Sequence, residues 1–191
     1  MKLERVDQRQ VKRAALFETI LKTAVDIVLS EGAEALSMAA IAKKTGLSRS
    51  GLYEYFASKE DLVADLLLDE LKLWSKYLEE SIDHDASALA KLEGWLAGTM
   101  NYMKSGHHQL MRQLSAIGAP ETRVYEIRNS HVTLVRPLLS ALAELGVDNP
   151  EQVAAYIQGI LDTTVKRIDA GSDSEYETEY ALNIVRAILS F

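Results

Sequence analysis

Three helix starts follow one another at a fixed spacing between Leu36 and Leu62, in LSMAAIAKKTGLSRSGLYEYFASKEDL, and this repetition constrains the fold more than any other feature of the chain. Leu36 and Ser37 precede Ile41 at the spacing where Ser37 is an N-cap and Leu36 packs on Ile41; Leu47, Ser48 and Leu52 repeat the frame. Ser58 opens a third start, with Asp61 at the capping-box position and Glu60 and Asp61 suited to the positive end of the helix dipole. Thr45-Gly46 divides the first two starts, and glycine turns there through positive φ without a Cβ penalty. Two short helices joined in this way form the unit that lays its second helix in a DNA major groove.

Such short helices need a scaffold. Leu16, Phe17, Ile20, Leu21, Ala24, Ile27 and Val28 share one face of a helix expected from about Lys12 to Glu31, with Gly32 as its terminator. Its core partners are Leu36, Ile41, Ala42, Leu47, Leu52 and Phe56. Residues 1–12 carry Lys2, Arg5, Arg9 and Lys12 without apolar periodicity, and read as a solvated and partly disordered basic arm or as one that touches phosphates or the minor groove.

The segment IAKKTGLSRSGLYEYFASKEDL, preceded by EGAEALS, closely resembles the DNA-binding domain of TetR-type transcriptional regulators over roughly residues 13–66. The resemblance implies an all-α fold of about nine helices, with a three-helix DNA-binding domain at 1–57 and a helical effector-binding and dimerisation domain at 58–191. It also implies that Tyr53 and Lys59 bind phosphates flanking the groove.

Other residues of the motif are read from their positions. Arg49 and Ser50 lie in the first turn of the second helix, where side chains reach base edges. Arg49 suits a bidentate contact to guanine, or else a phosphate contact or a plain surface position. Ser37 and Ser48 suit capping, with or without a hydroxyl or amide offered to phosphate. Tyr55 reads equally as a backbone contact and as a half-buried aromatic. Gly51, where many relatives carry Thr or Ala, offers only its amide N–H. Glu54 would be repelled by phosphate unless it faces solvent or accepts from cytosine, and Ala39 lacks polar reach.

Composition excludes other classes. Cysteine is absent, which removes disulfides, thiolate metal sites and a cysteine nucleophile. No apolar run approaches the roughly 18 residues of a membrane span, and the charged N-terminus lacks a signal-peptide core; a cytoplasmic protein without a membrane partner is expected. No glycine-rich phosphate loop follows a strand, and the adjacent His107 and His108 diverge by roughly 100° on a helix, so neither an enzyme nor a cofactor is expected. Residues 1–60 hold ten Lys/Arg against eight Asp/Glu, net +2, while the remainder holds 11 against 20, net −9. The two parts therefore carry different electrostatic roles.

Beyond the motif, Leu62, Val63, Leu66, Leu67, Leu71, Trp74, Leu78 and Ile82 form one stripe of a long helix from Ser58 to about Ile82. Helices are further expected at about 88–104, 107–117 and 120–145, the last kinked by Pro137 or broken there into two. Asn149-Pro150 opens another as N-cap and first residue, with Gln152 at the capping-box position, and a final helix covers about 174–189. Gly94 and Gly98 would permit a close helix approach.

The leading expectation is a homodimeric repressor on a palindromic double-stranded operator, released by a small-molecule effector. A DNA-binding regulator or architectural protein of the same fold, controlled by a protein partner rather than a small ligand, is the alternative. Trp74, Trp95, Met103, Met111, Tyr125 and Tyr156 are expected to line the effector cavity, with Asn101, His107 and His131 as polar groups. The resemblance implies pairing of the last two helices with their copies in a second subunit, through Val153, Ile157, Ile160, Tyr180, Ile184 and Ile188, with Ala155 and Gly159 allowing close approach.

Overall fold

In the computed structural model, which describes residues 2–189 with side chains from Gln8 onward, α1 runs from Lys2 to Glu31. It begins well ahead of Lys12 because the preceding residues hold no glycine or proline and are rich in Lys, Arg, Glu and Gln, all good helix formers. The expected arm is thus helical; its Lys2 and Arg5 side chains lie outside the described residues. Gly32, at φ 87°, ends α1 and leads into a single 3-10 turn at Ala33–Ala35. Eight further helices follow among the described residues: α2 (Met38–Thr45), α3 (Arg49–Tyr53), α4 (Lys59–Ser81), α5 (Ala88–Met103), α6 (Gly106–Ile117), α7 (Glu121–Glu144), α8 (Pro150–Asp169) and α9 (Ser174–Leu189). No strand occurs among them.

By compactness the chain divides into Met1–Glu70 with Gln109–Ile127, and Leu71–His108 with Arg128–Phe191. The first unit is built on the α1 stripe. Ile20, Ala24, Ile27 and Val28 are fully buried against Leu36, Ile41, Leu52, Phe56, Leu62 and Val63, and Phe17 stacks on Phe56 with ring centroids 5.1 Å apart. Leu110 and Leu114 of α6 complete this cluster. Capping fixes the entries of the short helices. Ser37 Oγ accepts from Ala40 N at 3.1 Å, Ser48 Oγ from Gly51 N at 3.0 Å, and Ser58 Oγ from Asp61 N at 3.1 Å. Asp61 Oδ2 reaches back to Ala57 N at 3.2 Å, so the third start is a reciprocal cap displaced by one residue. Gly46 takes the left-handed conformation that the turn between α2 and α3 requires, at φ 72°.

An arginine clamp in this unit has only a faint sequence signal. Asp61 and Asp65 stand one turn apart on α4, and Arg123 of α7 binds both, Nη1 to Asp61 Oδ1 at 3.0 Å and Nη2 to Asp65 Oδ1 at 2.6 Å, while Nε bonds Glu126 at 2.8 Å. Hydrogen bonding to Asp65, above all, holds the guanidinium far above its ordinary pKa. Arg123 therefore ties the start of α7 to the start of α4 with a permanent charge.

In the second unit, Gly98 is where α5 presses on the end of α4. A Cβ there would lie 3.1 Å from Leu78 Cδ2 and 3.2 Å from Ser81 Cβ, so the approach depends on glycine. α7 continues as one helix through Pro137, which rules out two shorter helices. Trp95 Nε1 donates to the Leu134 carbonyl at 2.8 Å, next to the Thr133 carbonyl whose helical donor Pro137 lacks. Asn149 precedes α8 as expected but does not cap it. It takes φ 54°, a conformation asparagine tolerates, and its side chain makes no cap bond. Gln152 bonds the Tyr156 hydroxyl at 3.4 Å rather than the backbone.

α8 and α9 are joined at their near ends by Arg167 and Glu177, Nη2 to Oε1 at 2.7 Å. The hydrogen bond from Arg167 is the main cause holding the Glu177 carboxyl below its ordinary range. A depressed carboxylate stabilises the fold above the unfolded pKa, about 4.3 for glutamate, and that contribution is lost as pH falls through the lower folded value. Thermal melting between neutral pH and about pH 3 should therefore fall more steeply for the wild-type chain than for Glu177→Gln. Parallel curves would show that this pair adds nothing to the acid response.

Candidate functional site

α3 is five residues long, Arg49–Tyr53, and only Leu52 of it is fully buried. Arg49, Ser50 and Tyr53 point to solvent, and the Arg49 guanidinium lies 6.0 Å from the centre of the Tyr53 ring. A planar cation parked beside an exposed phenol is held near the helix with its donors free to bind. The capping roles of Ser37 and Ser48 are met by bonds to Ala40 N and Gly51 N. Gly51 accordingly spends its amide on Ser48, and a Cβ at Gly51 would stand 3.1 Å from that hydroxyl. Ser50 Oγ lies 3.1 Å from Ser48 Oγ. Glu54 and Ala39 are exposed.

Tyr55 is half-buried, and Arg13 of α1 lies over its ring at 5.5 Å while its Nη2 sits 3.5 Å from the Glu54 carbonyl oxygen. This brace on the end of α3 has no signal in the sequence, because its partners are far apart along the chain. Lys59 is half-buried in the first turn of α4. Arg49, Ser50 and Tyr53 thus lie on α3 and Lys59 at the start of α4, on two consecutive helices that follow the glycine turn in one unit.

Among the described residues, the second unit holds a small cavity and an open groove. A small cavity of about 180 Å³ is walled by the end of α4 and by α5, α7 and α8. Trp74, Trp95, Met103 and His131 of the expected set line it, together with Thr99, Gln158 and Asp162, which sequence reading missed. Thr99 was legible, since it stands one helical turn from both Trp95 and Met103 on the same face of α5. Asn101 and His107 are exposed, His107 stacked on Tyr102 with centroids 5.4 Å apart. Met111 and Tyr125 belong to the first unit, where Tyr125 is 74% exposed.

The other feature is an open groove of about 780 Å³ along α8 and α9. Tyr156, Gly159, Ile160 and Thr163 form its α8 side and Tyr176, Tyr180, Ile184 and Ile188 its α9 side. Tyr156 stands on this groove instead of in the cavity because it lies about 200° around α8 from Gln158, and the two faces of the helix serve different spaces. Of the residues expected to pair with a second subunit, Ile160, Tyr180, Ile184 and Ile188 line the groove. Val153 is half-buried, and Ile157 is fully buried inside its own subunit.

Two short helices joined by the Gly46 turn form a helix-turn-helix, the unit that lays its second helix in a DNA major groove. The family model described as bacterial regulatory proteins, tetR family, matches residues 20–66. The fatty acid metabolism regulator protein of Bacillus subtilis (strain 168) is 30% identical over 73 residues, a match spanning 38% of this chain and 38% of that protein. Among solved structures, the transcriptional regulator FadR of Bacillus subtilis in complex with stearoyl-CoA shares the fold at TM-score 0.69 and 19% identity, covering 88% of this chain and 97% of that one. The TetR family regulator PfmR of Thermus thermophilus does so at TM-score 0.60 and 24% identity, over 87% and 97%. Residues 20–66 are thus similar to the DNA-binding segment of tetR-family regulators, and the chain shares its fold with solved structures described as members of that family. Among the described residues no helix is long and apolar enough to cross a membrane.

Proposed function

We propose that this chain is a homodimeric repressor that binds a palindromic operator and is released by a small-molecule effector. The observation that carries the reading is that one helix, α4, holds Lys59 in its first turn, next to α3, and Trp74 in the wall of the cavity. Fifteen residues of unbroken helix separate them along the chain. A ligand that shifts the Trp74 end biases the Lys59 end, and the coupling is the difference in affinity for the two positions of α4. The DNA-binding part is taken as residues 1–57, with 58–191 serving effector and dimer. A related fold solved with stearoyl-CoA supports a small-molecule effector.

The α8–α9 groove supports the homodimer. Tyr156, Tyr176 and Tyr180 are more than half exposed around it, and Gly159 has nothing within 4 Å of where a Cβ would stand, leaving room for a second helix to close in. A two-fold dimer presents two α3 helices to half-sites about one helical turn apart, roughly 34–36 Å. Selection of bound duplexes from a random pool should return a palindrome with that spacing; recovery of unpaired half-sites alone would count against the dimeric repressor.

Within the interface, Arg49 is assigned to base reading and Tyr53 and Lys59 to phosphates, with Ser37, Ser48, Ser50, Gly51 and Tyr55 positioning the turn. Arg49→Ala should relax preference at one base position per half-site, at a cost of about 1–3 kcal/mol in discrimination. Lys59→Ala should weaken all sequences alike and flatten the salt slope by about one unit for each phosphate no longer gripped. Binding measured across salt and across single-base variants separates the two, and identical profiles would contradict the assignment.

A further inference from the structure

Two polar atoms in the wall of the small cavity are buried without a hydrogen-bond partner, the indole Nε1 of Trp74 and the hydroxyl of Thr99. Thr99 is 2% exposed, so water does not serve its hydroxyl from outside. The neighbouring Trp95 shows what a buried indole ordinarily finds, a carbonyl acceptor at 2.8 Å. Buried donors left unmade cost stability, and an ordered water or a bound ligand is what satisfies such groups.

Charge and size narrow that partner. The cavity wall includes Asp162 and, among the described residues, no Lys or Arg, so an anionic group entering it meets a carboxylate and finds no fixed cation. About 180 Å³ is close to the roughly 150 Å³ that takes one benzene ring and well below the 300–1,000 Å³ of pockets for drug-sized ligands. The body of such a ligand would lie against Trp95, Met103 and Leu134, which are apolar and buried.

We infer, building on the effector-responsive reading above, that this cavity selects a ligand about the size of one substituted ring, whose oxygen acceptors take the Trp74 N–H and the Thr99 O–H and whose opposite end carries a donor or cation toward Asp162. A long acyl thioester, anionic at its head, does not fit the site.

Both tryptophans of the chain line the cavity, so intrinsic fluorescence of the full-length protein reports occupancy directly. The probes are 4-(aminomethyl)acetophenone, acetophenone, ethylbenzene and stearoyl-CoA, titrated in turn, with binding to a selected operator duplex followed in parallel by anisotropy. The amino ketone should bind tightest, acetophenone about tenfold more tightly than ethylbenzene, and stearoyl-CoA should not saturate the signal. In Thr99→Val the advantage of the ketone over the hydrocarbon should shrink several-fold; because that ratio is taken within one protein, a general loss of fold does not imitate it. Equal binding of ketone and hydrocarbon, or a ratio unmoved by Thr99→Val, overturns the inference. Release of the operator by stearoyl-CoA with no ring probe bound overturns it too, while leaving the effector-responsive reading in place. Ring probes that bind with the expected ratio yet leave operator affinity unchanged uphold the cavity chemistry and sink that reading instead.

Discussion

Gly159→Arg should leave the subunit folded yet separate it from its copy, lowering operator affinity by about 10²–10⁴ as two linked half-site contacts become one. The substitution suits this purpose because nothing in the subunit lies within 4 Å of a Cβ at Gly159, which is exposed on α8 at the centre of the groove. Replacing a helix-interior glycine should, if anything, favour α8 by roughly 0.5–1 kcal/mol. A second helix closing over Gly159 and Ile160, by contrast, would meet a long charged side chain where it needs backbone contact. Sedimentation should report a monomer with an unchanged far-UV spectrum. A variant that remains dimeric with full operator affinity would place the subunit contact elsewhere than on α8 and α9.

The same pair of helices shows what the sequence could and could not reveal. Apolar spacing singled out Ile157 and Ile160 on α8 and Tyr180, Ile184 and Ile188 on α9, but such a set does not say which neighbour covers it: Ile157 is buried, whereas Tyr180 and Ile188 are exposed. Ile157 and Tyr156 stand next to each other and were expected at the subunit contact and in the cavity; one is buried within its own subunit and the other lines the groove. About 100° of rotation per residue decides between them, and only the packed helix fixes where that rotation points.

Capping was legible for the opposite reason. Ser37, Ser48 and Ser58 bond amides three residues ahead, so their partners are local and the spacing is sufficient. Asn149 failed the same test because it adopts a left-handed backbone, a choice made by the chain on both sides of it. The braces of Arg13 on Glu54 and of Arg123 on Asp61 and Asp65 join residues far apart in sequence, and only the carboxylate pair on α4 hinted that a cation belonged there. In the cavity the missing members were mainly those contributed by α7 and α8, whose rotation about their axes the sequence leaves open.

Phe56→Ala should remove about 3–5 kcal/mol of stability, the cost of emptying a large aromatic site in a close-packed core. The ring is 1% exposed, stacks on Phe17 of α1, and joins the cluster in which Leu52 anchors α3 and Leu62 and Val63 anchor α4. No DNA contact is assigned to it, yet Arg49, Tyr53 and Lys59 on either side are held in place by what it packs against. A small unit with roughly 5–15 kcal/mol in all has little left after such a loss, so the operator-binding fraction should fall with temperature well before that of the wild type. Phe56→Leu fills most of the volume without a polar atom and should cost under about 1.5 kcal/mol. Urea unfolding of both variants tests the account: similar losses for alanine and leucine would mean that the stacked ring pair, rather than the filled volume, supports α3 and α4.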